Sequence, residues 1–225
     1  MSDEKRNREI LTYPNPLLSQ PARAVEEFGE ALTELYEEMR LLMHESDGVG
    51  LAATQVGESL QLLILSEYVF LPEAERRAIQ DTEGDMGADL AIINPVVIEQ
   101  SDVLLNDVEG CLSFPDVYIK VKRPSWVKIR AQRLDGSEFE LKGEGLGARA
   151  ILHEMDHLTG KVMTDHLGFL DKQKALRDHQ RIQRNRKRAS QEKSAEATGS
   201  GHQPSRVSSK VKKASSKGSK RGRRK

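Results

Sequence analysis

The chain has 225 residues, enough for one domain with a buried core plus an appendage. Its formal net charge is zero, but residues 181–225 hold 16 Lys and Arg against two acidic residues, which leaves 19 basic and 33 acidic residues in the rest. An acidic body therefore carries a basic C-terminal arm. The single cysteine, Cys111, excludes an intrachain disulfide and favours a reducing compartment. Without a targeting signal or a membrane-length apolar run, we expect a cytoplasmic, bacterial-type protein with no membrane anchor.

The first third of the chain shows one helical pattern and one strand pattern. Apolar residues recur at helical spacing over residues 27–46, and the glycine-rich segment Asp47–Gly50 ends this helix. The short apolar run at residues 60–65 predicts a buried strand. Residues 67–89 are polar and acidic, and we interpret them as a surface insertion with a helical stretch around Glu73–Gln80.

Strands dominate the middle of the chain. Pro95 lies within an apolar, β-branched run and predicts that this strand is at an edge or bulged. The segment Leu134–Ser137 has the composition of a hairpin turn between two alternating runs. The predicted strands are residues 91–98, 118–121, 126–130 and 139–141.

Helical patterns return near the C-terminus. A helix is predicted over Gly145–Thr159, followed by a mostly charged helix at 171–188. Residues 189–225 contain almost nothing apolar and are expected to be disordered. We therefore divide the chain into a catalytic body at 1–170, the charged helix and a Lys/Arg/Ser-rich tail. Strands in the middle with helices at both ends predict an α+β fold.

The sequence His153-Glu154-Met155-Asp156-His157 lies within the predicted helix. Its two histidines stand one turn apart on one face, where both imidazoles can bind the same metal ion. Glu154 lies beside them and can act as a general base on a water. The alternative is a pair of surface histidines, but the apolar residues around them argue against full exposure.

Two histidines leave a catalytic metal short of a third protein ligand. A third histidine at the metzincin spacing is excluded, because Met163 occupies that position. The charged helix and the tail are poor sources of a downstream carboxylate. Cys111 is an upstream candidate, since a thiolate binds zinc or ferrous iron well. A lone cysteine is more often a small buried apolar residue, but Cys111 lies between Gly110 and Ser113 just before a proline.

A segment of small residues, Gly48–Gln55, forms the third candidate element. It lacks the third glycine of a dinucleotide-binding loop and does not follow a strand, so a nucleotide loop is not favoured. Its small residues allow a ligand to approach the backbone closely. Gln55 could donate a hydrogen bond to an oxyanion.

Together these three segments resemble one family, the peptide deformylases. Members carry a Gly-x-Gly-x-Ala-Ala-x-Gln segment, a Glu-Gly-Cys-x-Ser segment and a His-Glu-x-Asp-His segment in that order, and Gly48–Gln55, Glu109–Ser113 and His153–His157 match them. The resemblance extends from about Ile10 to about Leu170.

The departures from the family pattern do not affect a predicted metal ligand. Residues 67–89 look longer than in a minimal member, and Leu152 stands where many members have glutamine. The resemblance implies mixed or antiparallel sheets packed around a central helix that carries the His-Glu-x-Asp-His motif, with an N-terminal helix. It also implies hydrolysis of the N-formyl group from the formyl-methionine of newly synthesised polypeptides, with release of formate.

The resemblance further assigns a metal site. Cys111, His153 and His157 would hold one divalent ion, with Fe2+ expected in the cell and Zn2+, Ni2+ or Co2+ as substitutes. Ligand softness alone also suits zinc. Asp156 is expected to pair with another side chain rather than to bind the metal.

Catalytic roles follow in the same way. Glu154 would take the proton of the attacking water and pass it to the leaving amine. The side-chain amide of Gln55 and the backbone N–H of Leu112 would stabilise the oxyanion.

Substrate contacts are also implied by the resemblance. Gly50 would pair with the peptide backbone as a strand does, next to Val49 and Gly110. We expect Val49, Leu146 and Ala150 to line an apolar pocket for the methionine side chain.

Two other functions fit the sequence less well. A zinc peptidase of the His-Glu-x-x-His type gives no reason for Cys111 or Gln55. A nucleic-acid-binding module is disfavoured because an acidic body repels phosphate. The basic tail could, however, attach the enzyme to ribosomal RNA near emerging formyl-methionyl chains.

Overall fold

Two antiparallel sheets and four α-helices make up the part of the chain described by the structure, a computed structural model covering residues 8–82 and 87–199. The helices are α1 (Glu30–Glu45), α2 (Glu73–Thr82), α3 (Leu146–Leu158) and α4 (Phe169–Gly199). The strands are β1 (Gly50–Ala52), β2 (Leu62–Ser66), β3 (Asp89–Gln100), β4 (Leu104–Glu109), β5 (Ile119–Pro124), β6 (Trp126–Gln132) and β7 (Glu138–Glu144).

The larger sheet has the strand order β1-β2-β3-β6-β7, and every neighbouring pair is antiparallel. Strands β4 and β5 form a separate antiparallel pair. Strand β3 is central in the larger sheet and accommodates Pro95 at a register shift between Ile93 and Val96. Pro95 predicted either an edge strand or a bulged strand, and the structure shows a bulged strand inside the sheet.

Strand β2 is buried along its whole length because its two faces contribute to different cores. Leu63 and Leu65 belong to the cluster that contains Ile151 of α3. Leu62 and Ile64 belong to the cluster that contains four buried residues of α1. Because each face of β2 packs against a different helix, every residue of the strand is apolar or buried and the sequence shows a continuous apolar run. The prediction of a buried strand is confirmed.

Helix α3 contacts strands of both sheets, including β7, β6 and β1 of the larger sheet and β5 of the smaller one. Gly143 permits the close approach of β7, because a Cβ there would lie 2.8 Å from the backbone nitrogen of Ala148. Gly147 likewise makes room for the ring of Phe70, which a Cβ would meet at 2.8 Å. The expected α+β architecture with antiparallel sheets around a central helix is confirmed.

Several elements differ from the expectations. Helix α1 begins at Glu30, three residues later than predicted, and strands β1 and β4 were not predicted. Strand β1 has only three residues, and the first five residues of β4 are exposed and show no apolar alternation. Helix α4 extends to Gly199 and thus beyond the boundary expected at 188, because Ala, Glu, Gln and Lys favour helix in this stretch.

The remainder of the predicted tail, residues 200–225, lies outside the described residues. The chain divides into two compact units, one ending at Arg184 and the other beginning at Asn185. Among the helices that the structure describes, none combines the length and apolar character needed to cross a membrane.

Candidate active site and metal centre

The C-terminal half of α3 supplies three neighbouring polar side chains. His153, Glu154 and His157 are all buried, although they lie on a helix whose other buried residues are mainly apolar. The two imidazole rings have centroids 5.2 Å apart, as expected for positions one turn apart. Buried histidines and a buried carboxylate are costly unless they are paired or bind a metal.

Cys111 follows strand β4 and meets the two histidines in space. Its Sγ lies 3.3 Å from Nε2 of His157, and the candidate ligand atoms of Cys111, His153 and His157 all lie within 4.8 Å of one another. Burial alone would raise the pKa of the Cys111 thiol, but the imidazoles of His157 and His153 outweigh burial and hold that pKa well below its usual value. The structure thus brings together the three residues predicted as ligands.

This donor set fits a divalent transition metal. One thiolate and two imidazoles would hold such an ion and would leave a position for a water or substrate. Among the described residues, Oε2 of Glu154 is buried without a hydrogen-bond partner. The same carboxyl interacts electrostatically with His153, His157 and Cys111. An unpaired buried acceptor among candidate ligands is expected where a water or substrate would complete a catalytic metal site.

Glu109 orients His153, one of the candidate ligands, a role that the sequence interpretation did not assign. Its Oε2 accepts a hydrogen bond from Nδ1 of His153 at 2.9 Å, which leaves Nε2 of the imidazole for a metal. The carboxylate–histidine pair is a recurrent support of metal sites. The position of Glu109 two residues before Cys111 was the available signal, but sequence proximity alone does not show which histidine a carboxylate reaches.

Two arginines neutralise the buried carboxylate of Glu109. Arg123 binds both of its oxygens, at 2.8 and 3.0 Å, and Arg149 binds Oε1 at 2.7 Å. Burial alone would raise the pKa of Glu109, but the hydrogen bonds of His153 and Arg123 outweigh it and hold that pKa well below its usual range. Glu109 therefore remains a carboxylate and can orient His153 at neutral pH.

Asp156 belongs to the same network and lies outside the ligand group. Its Oδ2 accepts hydrogen bonds from Arg123 and His166, both at 2.6 Å. The expectation that Asp156 pairs with another side chain is confirmed. Through Arg123, Asp156 on α3 is joined to Glu109 at the end of β4, so the ion-pair network ties the ligand helix to the cysteine segment.

Gln55 lies in a 3₁₀ helix, Ala53–Val56, directly after β1. Its Oε1 accepts the backbone N–H of Ala52 at 2.8 Å, which orients the amide so that Nε2 faces the cysteine segment. Nε2 donates to Oγ of Ser113 at 3.1 Å and lies 3.7 Å from Sγ of Cys111. A hydrogen-bond donor is therefore held next to the candidate metal ligands.

Glu154 approaches the backbone of β1 at Gly50. A Cβ at Gly50 would lie 2.6 Å from Oε1 of Glu154 and 2.9 Å from a methyl group of Leu65, so a larger residue here would displace the Glu154 carboxylate or the Leu65 side chain. Burial raises the pKa of the Glu154 carboxyl, and the nearby imidazoles of His153 and His157 only partly oppose this. A carboxyl with a raised pKa is suited to take up and release a proton.

The three predicted substrate contacts lie on two segments around the ligand group. Val49 directly precedes β1 and Gly50 is its first residue. Strand β1 is the outermost strand of the larger sheet, so one side of it is not paired with any other strand in the described ranges. Gly110 directly precedes Cys111, and the ring of Tyr118 covers it, since a Cβ at Gly110 would lie 2.9 Å from that ring. An outermost strand can accept an extended peptide by backbone hydrogen bonds.

The residues predicted to line the methionine pocket share one apolar cluster. Ala150 is buried in this cluster, and Val49 and Leu146 pack against it. The cluster also contains residues of α3, which carries the two histidines. Three candidate metal ligands, a neighbouring glutamate and an adjacent apolar cluster are the arrangement expected of a metal-dependent hydrolase.

Comparison with known proteins gives the family. The model of the polypeptide deformylase family matches residues 7–173. The peptide deformylase of Novosphingobium aromaticivorans is 37% identical over 184 residues, which cover 79% of this chain and 97% of that protein.

Solved structures agree with this match. A peptide deformylase from Legionella pneumophila superposes with a TM-score of 0.70 at 35% identity, covering 80% of this chain and 98% of that one. A peptide deformylase from Synechococcus elongatus in complex with actinonin gives a TM-score of 0.66 at 33% identity, covering 79% and 90% of the two chains.

The chain belongs to the polypeptide deformylase family. It is a metal-dependent amide hydrolase that removes N-formyl groups from newly made polypeptides, as the three sequence segments predicted. The same comparisons favour this activity over the alternative of a His-Glu-x-x-His zinc peptidase.

Proposed function

We propose that Cys111, His153 and His157 hold the divalent metal of this deformylase. The observation that carries the proposal is the proximity of one sulfur and two imidazole nitrogens within 4.8 Å of one another. When bound, the metal would supply Lewis-acid polarisation of the formyl carbonyl and would lower the pKa of a water. Glu109 holds His153 through Nδ1, so its imidazole presents Nε2 to the ligand group.

Glu154 is the proton carrier of the proposed mechanism. Its buried carboxylate accepts a proton from the attacking water and returns it to the amine that leaves when the formyl C–N bond breaks. Two features support this role: Oε2 has no partner within the described residues, and burial raises the pKa of the carboxyl. The products are formate and a peptide with a free N-terminus.

Gln55 and Leu112 stabilise the oxyanion in this proposal. The amide of Gln55 is fixed by Ala52 and Ser113, so Nε2 needs no rearrangement to donate a hydrogen bond as negative charge develops. The backbone N–H of Leu112 follows Cys111 directly and would be the second donor.

The substrate would lie along the outer side of β1. We assign its backbone hydrogen bonds to Gly50, with Val49 and Gly110 on either side of the reacting group, because β1 is the outermost strand. The methionine side chain would enter the apolar cluster at Val49, Leu146 and Ala150.

Formate release tests the whole proposal. Metal-loaded protein should release formate from formyl-Met-Ala-Ser, and the unformylated peptide serves as the control. Formate release without cleavage of internal peptide bonds is the expected result. Cleavage of the unformylated peptide, with no formate from the formylated one, would support the zinc-peptidase alternative.

We further propose Fe2+ as the physiological metal, with Ni2+, Co2+ or Zn2+ able to replace it. One thiolate and two imidazoles accept all of these ions. The ferrous enzyme should lose activity in air as the iron is oxidised and the Cys111 thiolate is attacked. The nickel and cobalt forms should be protected, whereas equal and stable activity of the iron and zinc forms in air would contradict the iron assignment.

The catalytic body is assigned to residues 1–170, in line with the family match to residues 7–173. We propose that the charged helix at 171–188 and the tail that follows attach the body to ribosomal RNA in the cytoplasm, where formylated chains emerge. The 16 basic residues at 181–225 and the acidic character of the rest support this proposal.

A further inference from the structure

His179 of α4 is buried, with a relative exposure of 1%, beneath the segment that contains Cys111. Its ring centroid lies 4.9 Å from that of Phe114 and 6.3 Å from that of Tyr13. Its Nε2 lies 2.8 Å from the backbone oxygen of Tyr13. Because a carbonyl oxygen only accepts, Nε2 must carry the hydrogen and donate it.

Residues 11–13, which His179 contacts at Tyr13, connect the two segments that carry the proposed oxyanion donors, Gln55 and Leu112. The backbone N–H of Leu11 donates to the carbonyl of Gln55 at 2.7 Å, and that of Tyr13 donates to the carbonyl of Ser113 at 3.0 Å. The side-chain Nε2 of Gln55 also donates directly to Oγ of Ser113, at 3.1 Å. Residues 11–13 are therefore hydrogen-bonded to the 3₁₀ helix that carries Gln55 and to the segment that carries Leu112.

We propose that His179 is a positioning residue for deformylation: its N–H fixes residues 11–13, and this segment sets the distance between the Gln55 side-chain amide and the Leu112 backbone N–H. The proposal rests on the oxyanion role given to those two groups above. A misplacement of about 1 Å by a distant change can lower a rate about 100-fold, so a hydrogen bond that holds this spacing can matter although His179 does not touch the substrate.

Simple core packing is the competing explanation, and two substitutions separate the two. His179→Phe keeps an aromatic ring against Phe114 and Tyr13 but removes the donor to the Tyr13 carbonyl. His179→Gln changes the shape but keeps an N–H that can reach the same oxygen. If packing were the whole role, Phe would be tolerated better than Gln; a positioning hydrogen bond predicts the opposite order.

The test uses full-length, metal-loaded protein and formyl-Met-Ala-Ser, with the exposed Gln180→Ala on the same helix as the control. We expect His179→Phe to lower kcat by about 10- to 100-fold with little change in KM. His179→Gln should retain most of the wild-type kcat, and Gln180→Ala should match the wild type. His179→Met, which fills the space without an N–H, provides the same test should His179→Phe fail to fold.

A second measurement does not depend on turnover. In the zinc-loaded protein, the NMR signals of the Leu112 backbone amide and the Gln55 side-chain amide should shift in His179→Phe and return towards wild type in His179→Gln. Wild-type kcat and unshifted signals in the two donorless variants would overturn the proposal. A wild-type protein that releases no formate would instead refute the proposed function, while the NMR comparison would still decide the role of His179.

Discussion

Glu109 Oε2 and His153 Nδ1 are joined by a hydrogen bond of 2.9 Å, although one residue ends a strand and the other lies on the central helix. This bond fixes the rotation and the tautomer of an imidazole that is predicted to bind metal. Although burial alone would raise the pKa of Glu109, its hydrogen bonds with His153 and Arg123 hold that pKa well below its usual range, so the glutamate stays charged. In the proposed metal centre, Glu109 therefore supports a ligand and is not itself a ligand.

The first prediction follows from this bond. Glu109→Gln should weaken metal binding by about 10- to 100-fold, because supports of this kind typically contribute that much. The dissociation constant can be measured by competition with a chelator, with the exposed Glu99→Gln as the matched control. An unchanged metal affinity in Glu109→Gln would remove Glu109 from the metal centre.

A second prediction concerns the thiolate. Cys111→Ser should abolish tight metal binding or leave a weak site, because a serine hydroxyl does not lose its proton near neutrality as a coordinated thiol does. Metal analysis after gel filtration measures this directly. A Cys111→Ser protein that keeps one equivalent of metal and full activity would contradict the ligand assignment.

A third prediction separates proton transfer from metal binding. Glu154→Gln should retain the metal but lose about 10²- to 10⁴-fold in kcat, since the amide cannot carry the proton. Metal content and kcat are measured on the same preparation. Loss of both would show that Glu154 is needed to keep the metal bound, which would contradict its assignment as the proton carrier alone.

A fourth prediction tests the oxyanion donor. Gln55→Ala should lower kcat by about 10²- to 10³-fold with a smaller effect on KM. The reason is that Nε2 is expected to donate more strongly to the negative transition state than to the neutral formyl oxygen. A rise in KM alone would mean that Gln55 binds the ground state.

A fifth prediction concerns the basic arm. Residues 185–225 contain 14 Lys and Arg against two acidic residues and begin at the boundary between the two compact units. A chain that ends at Arg184 should hydrolyse short formyl-peptides at nearly the full-length rate. Its co-sedimentation with ribosomes should be weaker and less dependent on salt, because fewer counterions are released on binding.

The end point of this truncation matters. A chain ending at Asp178 would also lose His179, whose hydrogen bond to Tyr13 lies within the compact unit that ends at Arg184. A full-length chain in which the basic residues of 185–225 are replaced by serine and glutamine controls for length. If the full-length chain, the chain ending at Arg184 and the substituted chain co-sediment equally from low to high salt, the arm does not attach the protein to ribosomes.

Local sequence spacing was sufficient to predict those parts of the site that lie on a single helix or strand. The interval between His153 and His157 places both imidazoles on one face of a helix wherever that helix packs. The buried strand around Leu62 and the helical stretch at Glu73–Gln80 were also predictable, since each has its own hydrophobic or compositional pattern. The three ordered segments likewise carried enough information to indicate the family.

Only the tertiary structure decided which distant groups meet. Cys111 and His157 are 46 residues apart, and their contact depends on how the segment after β4 lies across α3. Glu109 lies in one of the three family segments and His179 in none, but in neither case did the sequence show the partner, because a buried carboxylate or imidazole is assigned a role only through the groups that surround it. Periodicity reports the neighbours of a residue along one helix or strand, whereas hydrogen-bond partners across elements are set by packing of the whole core.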